Sequence, residues 1–107
     1  MRVTRLEYPS DGSLSRVIET VARDGATVLE FGTAAFPAGM RSPATGLHVR
    51  DADELAVIVE GSFETESGGE TRIVRAGDVV VIPAGEANAS RALEPSRVIY
   101  LMLSSAR

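Results

Sequence analysis

The chain has 107 residues, 44% of them hydrophobic and 24% charged, with a formal net charge of −4 and no cysteine. That length predicts a single domain, 1–107, able to bury a core without staples. The missing thiols exclude disulfides, thiolate nucleophiles and cysteine-held zinc. All the positive charge is arginine, and it is scattered rather than clustered. Nucleic acid is therefore not an expected partner, because a phosphate backbone demands concentrated positive charge. No apolar run approaches the ~20 residues of a membrane span. Met1-Arg2-Val3-Thr4-Arg5 leads into no apolar signal core, so the expected location is cytoplasmic with no membrane contact.

In chain order, Leu14 to Arg23 is ambiguous. Leu14, Val17, Ile18 and Val21 have helical spacing, but Val17, Ile18, Thr20 and Val21 are β-branched and suit a strand equally. Thr27 to Phe36 predicts a strand. Leu55 to Glu60 is a short apolar run of the kind buried on both faces of a sheet, and Asp78 to Ile82 is another. Ser62 to Ser67 and Glu70 to Arg75 flank Gly68-Gly69, the strongest hairpin signal in the chain. Arg97 to Leu103 closes the series, and Ser104 to Arg107 are expected to fray. Many short strands between Gly and Pro punctuation predict an all-β sandwich or barrel.

Two spacings carry more than fold. His48-Val49-Arg50-Asp51-Ala52-Asp53-Glu54 is followed by six residues and Gly61. Gly77 is followed by five residues, Pro83-Ala84-Gly85, two residues and Asn88. These resemble the two boxes of the cupin family. There the first box runs His-x-His, three or four residues, Glu, six residues, Gly. The second runs Gly, five residues, Pro-x-Gly, two residues, His. The resemblance spans roughly 27–103 and implies a small cupin, a jelly-roll β-barrel (double-stranded β-helix). It also implies a metal site of His48, Glu54 and Asn88 for Fe, Mn, Ni, Cu or Zn, serving an isomerase, lyase or dioxygenase. Small cupins commonly pair, so it implies a homodimer through an apolar sheet face.

The chain departs from that pattern at Arg50, where the family has a second ligand histidine, at Asn88, where it has a third, and at Ser42, where it has glycine. A guanidinium has donors and no lone pair, so Arg50 cannot ligate a cation. A unit charge ~4 Å away repels another by ~4 kcal/mol at an effective dielectric of ~20, and a divalent ion doubles that. His48 and Arg50, two apart on an extended segment, should share the barrel's inner face. Glu54 should return toward His48, and Asn88 should approach from the opposite sheet. Arg50 then has three readings: it clamps the anionic group of a small-molecule ligand, it forks onto Glu54 as a bidentate pair, or it faces solvent.

The expected function is binding of a small, anionic molecule in the cavity without a tight metal, with Arg50, His48 and Asn88 as polar contacts. The metal-dependent enzyme is the alternative. His48 and Glu54 are the catalytic candidates, since histidine titrates where proton transfer is useful. Tyr100 and Met102 share parity in the last strand, as do Phe36, Ala38 and Met40 earlier. If those faces point inward, Phe36, Met40, Tyr100 and Met102 line the pocket; core packing is their alternative. Asp51 and Asp53 are turn acids, expected to be solvated or to bond nearby backbone.

Overall fold

The computed structural model describes residues 1–104, which form nine β-strands and no helix. None is therefore long and apolar enough to cross a membrane as a helix. In chain order the strands are β1 (Ser15–Arg23), β2 (Ala26–Phe36), β3 (Arg41–Ser42), β4 (Asp53–Glu60), β5 (Ser62–Ser67), β6 (Glu70–Arg75), β7 (Val79–Ile82), β8 (Asn88–Ala92) and β9 (Ser96–Leu103). They make a five-stranded sheet, β1-β2-β9-β4-β7, and a four-stranded sheet, β3-β8-β5-β6, in which every pairing is antiparallel. The architecture is the expected all-β jelly roll.

Turn chemistry sets the connections. Gly68 and Gly69 both have positive φ (59° and 78°), as the tight β5–β6 hairpin requires. Asp24 (φ 52°) and Gly25 (φ 78°) play the same part between β1 and β2, and aspartate tolerates that region better than most residues. From Ser15 to Arg23 the ambiguous segment is thus an edge strand, β1, paired with β2 with irregularities at Ile18 and between Val21 and Ala22. Helical spacing lost to β-branching and to the partner strand that the turn delivers.

The two sheets close over one core of Ala34, Ile58, Phe63, Ala92 and Val98. Phe36 meets Phe63 edge to face, centroids 4.9 Å apart at 87°, the geometry that ring quadrupoles favour. Thr65 donates to, or accepts from, Ser90 at 2.9 Å across β5 and β8, and this pairing of hydroxyls lets both face inward at little cost.

The expectation that β4 and β7 are buried on both faces needs correction. Glu54, Ala56 and Ile58 point inward, while Leu55 and Val59 stand on the outer face with 37% and 44% exposure. Val80 and Ile82 point inward, and Val79 and Val81 are 57% and 59% exposed. A continuous apolar run identifies the strand but not what covers its second face.

The N-terminal segment crosses the outside of β1 and β2. Glu7 accepts at its carbonyl from the fully buried Thr33 hydroxyl, and pairs with Arg16 at 2.9 Å. Arg2 and Thr4 both reach Glu19, and the Arg97 guanidinium lies 4.9 Å over the Tyr8 ring. Ser104, expected to fray, donates its N–H to the Val28 carbonyl at 2.8 Å. The expectation for 105–107 falls outside the described residues.

Candidate functional site

Between the sheets lies a cavity of about 220 Å³, room for about seven waters at ~30 Å³ each, or a small organic molecule. Its floor is the apolar core. Its main polar groups come from five places on the fold: Glu30 on β2, His48 and Arg50 on the segment before β4, Glu54 on β4, Asn88 on β8 and Tyr100 on β9.

His48 and Asn88 pair as an isolated bridge, each N–H donating to the other's carbonyl at 2.9 Å. This locks the segment into an extended run, with His48 and Arg50 lining the cavity while Leu47 and Val49 lie outside at 47% and 60% exposure. The alternation expected from the sequence is therefore present. The Asn88 side chain is buried and spoken for. Its Nδ2 donates to the carbonyls of His48 and Glu86, which leaves Oδ1 to accept from His48 Nε2 at 3.1 Å. In the neutral ring the proton is thereby fixed on Nε2, and Nδ1 keeps the lone pair.

Arg50 faces the cavity at its mouth, with its side chain 41% exposed and Glu54's 20%. The bidentate fork onto Glu54 is not formed. The two approach only to 3.8 Å, from Nε to Oε1, and Nε is shielded from solvent without a hydrogen-bond partner. A partly exposed pair at that separation contributes little to stability. Arg50 makes no side-chain hydrogen bond among the described residues, so its terminal Nη donors, unlike the shielded Nε, are open to an incoming acceptor.

Phe36, Tyr100 and Met102 line the cavity as their parity implied, but Met40 does not. The Pro37-Ala38-Gly39 turn interrupts the strand, with Gly39 at φ 84° and Met40 N–H bonding back to the Pro37 carbonyl. Parity carried from Phe36 fails across that turn. Met40 instead joins Pro37, Pro95 and Arg97 around a separate cleft at the far end of β2 and β9. Ala38 is exposed. Asp53 opens β4 instead of lying in a turn, and its Oδ1 accepts from the distant Ala84 N–H at 2.8 Å.

The sequence reading missed Glu30. It lines the cavity and accepts from the Tyr100 hydroxyl at 2.8 Å through Oε2. Burial, and then the Glu30 carboxylate beside it, hold the Tyr100 hydroxyl well above its usual value of 10.0, so it stays protonated and donating. The signal was present. Glu30 shares parity with Ala34 and Phe36 on β2, and an acid on the inner face of a strand demands a reason.

The donor set does not fit a resident metal. His48 Nε2 and Asn88 Oδ1 face each other instead of a common point. Arg50 places a cation beside Glu54. Among the described residues no three His, Asp or Glu side chains gather in a ligand cluster.

Two antiparallel sheets closing on a cavity, with polar residues at the two family boxes, define a cupin barrel. The EutQ-like cupin domain family matches residues 41–100, more than half of the chain, and the chain belongs to it. Among solved structures it resembles a conserved protein of unknown function from Streptococcus pyogenes (24% identity, TM-score 0.74, covering 95% of this chain and 82% of that one). It also resembles KdgF from Halomonas sp. (26%, TM-score 0.72, covering 86% and 78%). A predicted oxalate decarboxylase from Thermotoga maritima shares the fold (20%, TM-score 0.62, covering 71% and 66%). No curated protein matches.

Proposed function

We propose that this cupin binds a small molecule in its barrel through an oxyanion seated on Arg50, without a tightly held metal. The observation that carries the reading is Arg50 itself. Its guanidinium faces the cavity with unused donors, 3.8 Å from the nearest Glu54 oxygen. A guanidinium matches a carboxylate or phosphate with two parallel hydrogen bonds, and His48 lines the same cavity. The cupin relatives include a protein described as a predicted oxalate decarboxylase, so the metal-dependent enzyme is the alternative to be tested.

Calorimetry with small monocarboxylates and inorganic phosphate is the direct test. Binding by the native protein should weaken about 10- to 100-fold in Arg50→Met, the range for a hydrogen bond to a charged group of ~1.5–3 kcal/mol. Fe, Mn, Ni, Cu and Zn should each leave the melting temperature unchanged, because a ligand that binds the native state must raise it. Stoichiometric metal in the dialysed protein would overturn the reading in favour of the enzyme, and equal binding by Arg50→Met would overturn it by removing Arg50 as the seat.

We also infer that the chain pairs with a second copy through the outer face of the five-stranded sheet. Leu55 is paired with Val81, and Val57 with Val79. Leu55, Val59, Val79, Val81 and Leu103 are all exposed and uncharged. A two-fold contact sets a patch against itself, and these five side chains bring no charge against their like. Val81→Glu should convert a dimer to a monomer in light scattering at micromolar concentration. A native protein that is already monomeric there would refute the pairing.

A further inference from the structure

We infer that Glu30, held by Tyr100, forms a second recognition end of the cavity, and that the ligand carries a protonated amine for Glu30 as well as an oxyanion for Arg50. The inference rests on the reading of Arg50 given above.

Register places the two ends. Met102 of β9 is paired with Glu30 of β2 on one side and with Glu54 of β4 on the other. Glu30 and Glu54 therefore sit in one row across three strands, their backbones two strand spacings, about 10 Å, apart. Arg50 lies beside Glu54. A chain of about four carbons laid along this row would reach from one end to the other over Met102, which lies between them and lines the cavity.

Charge then decides what the far end wants. Besides Tyr100, which stays protonated, the titratable groups lining the cavity are Glu30, Glu54, Arg50 and His48. With the imidazole neutral, two carboxylates face one guanidinium. An anionic ligand alone deepens that imbalance, whereas one that also brings an ammonium group leaves it unchanged. Tyr100 occupies only Oε2 of Glu30, and Oε1 has no donor among the described residues. An ammonium offers three donors and a charge. A hydroxyl offers one donor and no charge, so it is the weaker match. Glycine at position 32 keeps the arrangement in place, because a Cβ there would stand 2.5 Å from the Tyr100 ring and 2.5 Å from the Arg16 carbonyl.

The test is calorimetry with four probes of one chain length: 4-aminobutyrate, 4-hydroxybutyrate, butyrate and butylamine. The expected result is that 4-aminobutyrate binds about tenfold or more tightly than butyrate, with 4-hydroxybutyrate between them. Glu30→Gln, which keeps the shape and an acceptor for Tyr100, should erase that advantage and leave butyrate binding as tightly as before. If butyrate binds and the amine adds nothing, or if Glu30→Gln preserves the advantage, the inference falls while the reading of Arg50 stands. If butylamine binds as well as 4-aminobutyrate, and butyrate does not bind, the reading of Arg50 falls and the Glu30 end survives. Failure of all four overturns both.

Discussion

Gly61→Ala is expected to destabilise the protein by about 2–5 kcal/mol, read as a lower urea midpoint at an unchanged slope. Gly61 links β4 to β5, where the chain leaves one sheet for the other, and its φ is 87°. An L-residue in the left-handed region costs ~1–2 kcal/mol. Here the new methyl would also overlap the Ser96 hydroxyl and stand 2.6 Å from the Pro95 carbonyl oxygen. Relieving such overlap typically costs another ~1–3 kcal/mol. Ser96 cannot simply retreat. Its hydroxyl accepts from Ser62 N–H at 3.1 Å and lies 2.8 Å from the Glu94 carbonyl, so the corner would lose its internal bonds as well. Since domains are stable by only ~5–15 kcal/mol, this one methyl removes a large share. A loss below ~1 kcal/mol would show that the corner can rearrange and that Gly61 is dispensable.

Phe63→Ala should cost about 3–5 kcal/mol, the range for emptying a buried aromatic position. Phe63 is 2% exposed, belongs to the core cluster and meets Phe36 edge to face. It also lines the cavity, so truncation enlarges the binding space as it weakens the core. Chemical denaturation measures the first effect. Phe63→Leu, which refills most of the volume, should recover most of the loss. If Phe63→Ala and Phe63→Leu are equally mild, the two sheets are not held together at this point.

The fold was legible because the family boxes, and the hairpin between them, encode backbone geometry. Gly61, with φ of 87°, and Gly68-Gly69, with φ of 59° and 78°, sit where the chain must turn, and glycine is the residue that does so freely. The segment from Leu14 to Arg23 stayed ambiguous because periodicity is local, while its partner β2 lies beyond a turn. The outer face of β4 and β7 was misread for a related reason. Leu55 and Val81 look the same in sequence whether protein or water lies beyond them.

The site was legible in proportion to how regular its backbone is. His48 and Arg50 followed simple alternation. Met40 failed because the Pro37-Ala38-Gly39 turn lies between it and Phe36. The Arg50–Glu54 relation was right in partners and wrong in geometry, since side-chain approach depends on rotamers that spacing does not encode. Glu30 was missed because no family box includes it, although its parity with Ala34 and Phe36 places it on the inner wall. It changes the chemistry most, by adding a second carboxylate to a cavity that the boxes alone describe as anion-seeking.

Gly32 and Tyr100, paired in register across β2 and β9, amount to a single volume divided between two positions. The ring fills the space where a side chain on residue 32 would stand. A lineage drifting from this sequence therefore cannot enlarge residue 32 and keep the aromatic ring at 100. Substitutions at positions this close are energetically coupled, not independent. Among homologues, then, a larger residue at 32 marks a barrel that has also given up the tyrosine holding Glu30. The far wall of the pocket can be read from a backbone position that touches no ligand.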